Sequence, residues 1–136
     1  MGIELVRTDG QPSGRRIRLT THNRIQTTID VGANTGDFAE ELRLSGFPGR
    51  IISFEPTSEA FKVLAARSKR DPLWSVHQAA IGETTGEMRI NVAANEARSS
   101  SFLPMLDLHQ KFAPTSLYVS SEIVSMKTLG EALGNL

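Results

Sequence analysis

The chain has 136 residues, enough for one domain with one core, and a domain of this size removes roughly two-thirds of its unfolded surface from water. Fifteen basic and fifteen acidic residues cancel to zero net charge, which argues against nucleic acid as a partner. There is no cysteine, hence no disulfide framework or thiol chemistry; no stretch approaches the ~20 apolar residues of a membrane span, and the opening residues lack the apolar run of a secretory signal. The expectation is one cytoplasmic globular domain with no membrane partner.

Met1 to Thr21 is polar and turn-rich, a lead-in segment in which Ile17 and Leu19 alternate with Arg16 and Arg18 as a short strand would. Arg15, Arg16 and Arg18 read as a solvated strand face. Thr27 to Val31, β-branched and apolar, reads as the first buried strand. Asp37 to Leu44 reads as a helix with Phe38, Ala39 and Leu42 on one face, Thr35 as a possible N-cap and Gly46 as its stop. Arg50 to Phe54 is the second strand. Pro56 and Thr57 open a second helix, with Phe61, Leu64 and Ala65 as its apolar stripe, and Arg67, Lys69 and Arg70 placed to complement its dipole. Pro72 ends that helix, and Trp74 to Ile81 is the third strand.

Strand, helix, strand, helix, strand at this spacing is a βαβαβ unit over residues 22–81, half of a doubly wound parallel sheet, because parallel strands need right-handed crossovers. Residues 82–136 form an extension: a turn at Gly82 to Gly86, a strand in which Met88, Ile90 and Val92 alternate with polar residues, a polar loop at Asn95 to Ser101, an irregular stretch broken by Pro104 and Pro114, a strand at Glu122 to Met126 and a short helix at Thr128 to Leu133. The whole reads as a single α/β domain.

The richest segment is Thr28 to Phe38, Thr-Ile-Asp-Val-Gly-Ala-Asn-Thr-Gly-Asp-Phe. A strand ends in an acid, Asp30, and a turn with Gly32 and Gly36 leads into a helix. A dinucleotide fold uses Gly-x-Gly-x-x-Gly, and a P-loop requires Gly-Lys-Ser/Thr; Gly32-Ala33-Asn34-Thr35-Gly36 matches neither. Glu55 alone is compatible with a dinucleotide oxidoreductase, but the turn is not. The spacing fits S-adenosylmethionine better, a ligand with no phosphate to wrap. Its carboxylate suits a helix N-terminus with free N–H groups, its ammonium suits Asp30, and its ribose hydroxyls suit the carboxylate of Glu55 at the tip of the next strand. Each residue also has a plainer use: the glycines in a tight strand–helix turn, Asp30 and Glu55 as helix caps.

At these residues the chain resembles the FkbM family of S-adenosylmethionine-dependent methyltransferases, a class I, Rossmann-like fold. The similar segments are Ile29-Asp-Val-Gly-Ala-Asn-Thr-Gly36, Arg50-Ile-Ile-Ser-Phe-Glu-Pro56, Ala79-Ala-Ile-Gly82 and Ser99-Ser-Ser-Phe-Leu103, with a weaker block at Glu122 to Leu133. The resemblance implies O-methylation of a hydroxyl on a sugar, polyketide or similar metabolite. It implies that Asp30, Gly32, Ala33, Asn34, Gly36 and Phe38 line the methionine side, that Glu55 binds the ribose with Pro56 beside it, and that Gln78, Ala79 and Ala80 lie near the adenine. Gln78 stands near where many such enzymes carry an acid for the adenine amino group, and a glutamine carbonyl can serve the same end. Ser99 to Ser101 either approach the ligand or form a plain polar loop.

Two departures bear on function. Leu129-Gly130 stands where the family reads Leu-Asp, and the family continues past the position of Leu136 into further strands that build much of the acceptor site. The expectation is therefore a sheet lacking its C-terminal part, with an exposed edge at Thr27 to Val31 that makes the fold marginal, drives a homodimer or is covered by another segment. A truncated, non-catalytic cofactor-binding module that acts with a partner or is inactive is the alternative reading. The histidines His22, His77 and His109 neither pair with a carboxylate in sequence nor form a metal motif, so no catalytic or metal-binding residue is assigned.

Overall fold

The computed structural model describes residues 24–93 and 118–134. The lead-in strand and its arginines, the polar loop, the Ser99 to Ser101 run, His22 and His109 lie outside the described residues. The described elements are β1 (Thr27–Val31), α1 (Asp37–Leu44), β2 (Arg50–Phe54), α2 (Ser58–Ser68), β3 (Trp74–His77), β4 (Ala80–Ile81), β5 (Gly86–Ala93), β6 (Tyr118–Lys127) and α3 (Leu129–Gly134).

Strands β1, β2 and β3 form a parallel sheet in that spatial order, with Asp30 beside Ser53 and Phe54 beside His77. Two right-handed crossovers stepping in one direction place both helices on one face. Ala39 and Leu42 of α1, Leu64 of α2, Ile51 of β2 and Trp74 of β3 accordingly share one cluster with Ala33 and Phe47. Strand residues alternate faces, so Ile52 and Phe54 point the other way, where they meet Ala79, Ile81 and Ala132 of α3. The chain is thus α/β with a parallel three-stranded sheet. Among the described residues, α1 and α2 cover one face, and the short α3 with Ala79 and Ile81 packs on the other.

Trp74 to Ile81, read from sequence as one strand, is two. Past His77 the chain folds on itself, with the Ala79 N–H donating to the His77 carbonyl at 3.1 Å, and β4 joins a second sheet ordered β4-β6-β5. β4 runs parallel to β6, while β5 and β6 are antiparallel. Ile90, Val124, Met126 and Ala80 form the core of this sheet. Two smaller differences concern the helices. Gly36, not Thr35, is the N-cap of α1. The buried residues of α2 are Ala60, Leu64 and Ser68, and Arg67, in the last turn as expected, also reaches across to α1, pairing with Asp37 at 2.7 Å and Glu40 at 3.5 Å.

Arg43 staples the end of the sheet remote from the glycine turn. Its guanidinium donates to Asp71 at 2.6 Å, to the carbonyls of Phe47 and Gly49 at 2.6 and 2.7 Å and to that of Leu73 at 3.3 Å, and it lies over the Phe47 ring. Burial works to raise the Asp71 carboxyl, but the bonds from Arg43 and the Leu73 N–H prevail and hold it below its ordinary 3.8. A depressed acid stabilises the fold above its unfolded pKa and loses that contribution as pH falls through the folded value. Arg43→Ala is expected to cost about 2–4 kcal/mol in urea unfolding at neutral pH, because carbonyls and a carboxylate lose their donor together. The difference from wild type should narrow below pH 3.8.

β1 pairs with β2 only, among the described residues. On the face away from α1 and α2, Ile29 and Val31 are 37% and 54% exposed. No helix of the described residues is long and apolar enough to cross a membrane.

Candidate functional site at the carboxyl ends of the parallel strands

The turn after β1 takes left-handed backbone at Gly32 (φ 77°), Asn34 (φ 50°) and Gly36 (φ 95°). Glycine adopts this without penalty, and asparagine more readily than most residues. The two glycines serve different ends. A Cβ on Gly36 would lie 2.8 Å from the Trp74 ring and 2.9 Å from Leu64, so Gly36 lets α1 settle on the core. A Cβ on Gly32 would meet nothing within 4 Å, so the backbone there is open to an approaching molecule.

The turn is tied down by its own donors. The N–H groups of Gly32 and Ala33 donate to the Phe54 carbonyl at 2.9 and 3.0 Å, that of Asn34 to Glu55 Oε2 at 2.8 Å, that of Thr35 to Asn34 Oδ1 at 2.7 Å and that of Gly36 to the Ala33 carbonyl at 2.9 Å. The N–H groups of residues 32–36, which precede the first turn of α1, are therefore engaged within the protein.

Glu55 is 5% exposed. Besides Asn34, it accepts from the Thr57 N–H at 2.8 Å and the Thr57 hydroxyl at 2.6 Å, both on Oε1. A carboxylate offers about four acceptor positions. Three are filled here, leaving one on Oε2. Glu55 thus joins the glycine turn to the N-terminus of α2, and what remains for a ligand is one hydrogen bond, not the two-hydroxyl clasp expected from sequence.

Asp30 is placed by a chain of hydrogen bonds across the sheet. The Trp74 indole N–H of β3 donates to the buried Ser53 hydroxyl of β2 at 3.0 Å, and that hydroxyl faces Asp30 Oδ2 of β1 at 3.4 Å. Burial pushes the Asp30 carboxyl above its ordinary 3.8; the Ser53 hydroxyl counters this in part, and the neighbouring Glu55 charge adds to it. No cation among the described residues pairs with Asp30.

Gln78 is exposed just past β3 and donates through Nε2 to the Ser58 hydroxyl at 3.1 Å and the Pro56 carbonyl at 3.5 Å. It borders a cavity of ≈ 280 Å³ lined also by Phe54, Val76, His77, Ala79, Lys127 and Ala132. The His77 ring stacks on Phe54 at 5.2 Å between centroids. Burial, with the Lys127 charge added, keeps its pKa below the ordinary 6.5, and its Nε2 is buried with no partner among the described residues. Register with Phe54 puts this ring on the sheet face opposite Asp30 and Ser53.

Of the residues singled out from sequence, Asp30, Gly32, Asn34, Glu55, Pro56 and Gln78 come together at the strand ends. Ala33 and Gly36 are buried and Phe38 packs against the main core, while Ala79 borders the cavity and Ala80 belongs to the second sheet's core. Ser53, Trp74, Thr57, Ser58 and Glu122 were not singled out. Glu122 alone left a signal: it shares strand parity with the buried Val124 and Met126, an acid on an apolar face. No family model, curated protein or solved structure matches the chain.

Proposed function

We propose that this chain binds S-adenosylmethionine at the carboxyl ends of β1 and β2 and is the cofactor-binding portion of a class I, FkbM-like methyltransferase acting on a hydroxyl of a sugar, polyketide or similar metabolite. The observation that carries the reading is a half-buried carboxylate that no cation among the described residues pairs with, Asp30, beside backbone held open at Gly32. A ligand that brings an ammonium to Asp30, a hydroxyl to the remaining position on Glu55 and a base towards Gln78 fits what the protein leaves unfilled. The doubly wound, Rossmann-like class belongs to this reading; the parallel order β1-β2-β3 supports it.

Held by Asp30, Gly32 and Glu55, the cofactor would supply an activated, sulfonium-borne methyl group to an acceptor hydroxyl, whose proton would pass to a base or to water. This chain's residues bind and orient, and positioning of that kind can supply ~7–11 kcal/mol of a barrier. His77 lies on the far sheet face from Asp30, so no general base is named.

Calorimetry with S-adenosylmethionine and S-adenosylhomocysteine tests the reading. Binding is expected, weakened at least ~tenfold by Asp30→Asn, the worth of one charge-assisted hydrogen bond. No heat at millimolar ligand, or an Asp30→Asn variant that binds equally well, would overturn it. The pH dependence has a definite sign. An acid raised in the fold favours the native state below 3.8, its unfolded value, and loses that advantage as pH rises through the folded value. An ammonium ligand reverses the penalty, so affinity should rise with pH over the same interval and binding at its lower end should release a proton.

A second reading, a non-catalytic module, is favoured by one observation: Glu55 and the turn N–H groups are largely spent on the protein itself. Methyl transfer by the chain alone would exclude it. On either reading the edge of β1 that no described strand covers is a pairing surface. Sedimentation should show association that grows with concentration and is suppressed by Val31→Lys; a monomer at all concentrations refutes this.

A further inference from the structure

Glu122, on β6, is distant in sequence from every residue assigned to the ligand, yet it ends at the N-terminus of α2. Its Oε2 accepts the Ser58 N–H at 3.2 Å, and its Oε1 accepts the Ser58 hydroxyl in a short hydrogen bond. A serine hydroxyl has one proton. Ser58 gives that proton to Glu122 and can therefore only accept from Gln78. The amide of Gln78 is thereby oriented: Nε2 faces inward to Ser58 and Pro56, and Oε1 is left without a partner among the described residues. Turned over, Oε1 would face two acceptors, the Pro56 carbonyl and a hydroxyl whose proton is committed elsewhere.

We propose that Glu122, acting through Ser58, is the positioning residue that makes Gln78 an acceptor and so selects a ligand base carrying an exocyclic amine over one carrying a carbonyl at the same place. The inference rests on the cofactor reading above. It adds a determinant supplied by the second sheet, which reaches over the first to set the polarity of a side chain it does not touch. Without Glu122, the Ser58 hydroxyl becomes a donor, and Gln78 can turn over to present its amine. Glu122 would thus act on the choice of base while leaving the ammonium and ribose contacts alone.

The test compares S-adenosylhomocysteine with S-inosylhomocysteine, which differ at that exocyclic position, by calorimetry on the full chain. Wild type is expected to prefer the adenosyl compound about tenfold, the worth of one hydrogen bond. Glu122→Ala is expected to bring the two within about threefold, mainly by tightening the inosyl compound. Adding Gln78→Glu to Glu122→Ala should restore the preference, because a carboxylate has no amine to present. If wild type binds neither compound, the cofactor reading falls and this inference with it. If wild type binds both equally, the inference alone fails. If Glu122→Ala keeps the full preference, or weakens both compounds in parallel, Glu122 is structural only and the inference is refuted.

Discussion

Replacing Gly36 with alanine is expected to destabilise the fold by about 2–5 kcal/mol, the sum of a left-handed residue with a Cβ and an overpacked core. Both terms have an address: φ is 95°, and the new methyl would lie 2.8 Å from Trp74 and 2.9 Å from Leu64. Trp74 also donates to Ser53, which faces Asp30, so a displaced indole disturbs the acid as well as the core. Gly32→Ala is the instructive partner. Its backbone is equally left-handed but its Cβ meets nothing, so the expected loss is only about 1–2 kcal/mol. Ligand affinity should reverse the ranking, because a methyl at Gly32 occupies the open approach beside Asp30. Urea unfolding and calorimetry on both variants check this. Equal stability losses at the two positions would show that the Trp74 contact does not limit the site.

Glu55→Ala carries the second large effect, about 2–5 kcal/mol of stability. It strands the N–H groups of Asn34 and Thr57 at a buried site, and an unsatisfied buried donor costs ~1–3 kcal/mol. Glu55→Gln keeps one acceptor oxygen but turns an amine towards a donor, so its loss should be smaller yet clear. Loss of ligand binding in Glu55→Ala would therefore not identify a ribose contact, since the glycine turn loses its tie to α2 in the same step. Asp30→Asn and Gly32→Ala leave those ties in place and report on the ligand more directly. A stability loss in Glu55→Ala below ~0.5 kcal/mol, the range of an ordinary surface substitution, would contradict the assigned role.

Much of the fold could be read from periodicity and turn chemistry. The β-branched run at Thr27 to Val31, the face formed by Ala39 and Leu42, and the glycine stop at Gly46 locate β1 and α1, through local sterics for the strand and one buried face for the helix; the burial expected of β1 is not found, since its apolar Ile29 and Val31 are exposed. Trp74 to Ile81 misled because its apolar residues continue through Ala79, Ala80 and Ile81 while their burial changes partner: Trp74 packs under α1 and α2, and Ala80 against β5 and β6. Hydrophobicity marks that a residue is buried, not against what. The mistaken N-cap has a similar origin. Thr35 is a good capping residue, but the left-handed backbone at Gly36 moves the helix start past it.

The site divides along the same line. From sequence alone come the residue types at the strand ends: an acid closing β1, glycines that permit left-handed backbone, an acid closing β2 and a spacing that rejects a pyrophosphate. These follow from what each residue's covalent structure allows. Only the tertiary structure decides how each is used. It commits three of the four acceptor positions of Glu55 to the protein, leaves Asp30 without a cation among the described residues, sets Gly36 against Trp74 while Gly32 stays open, and brings Glu122 to Ser58 from the second sheet. A hydrogen bond is made or left unmade by where its partner stands in space, and here Asn34 meets Glu55, and Ser58 meets Glu122, across long stretches of the chain.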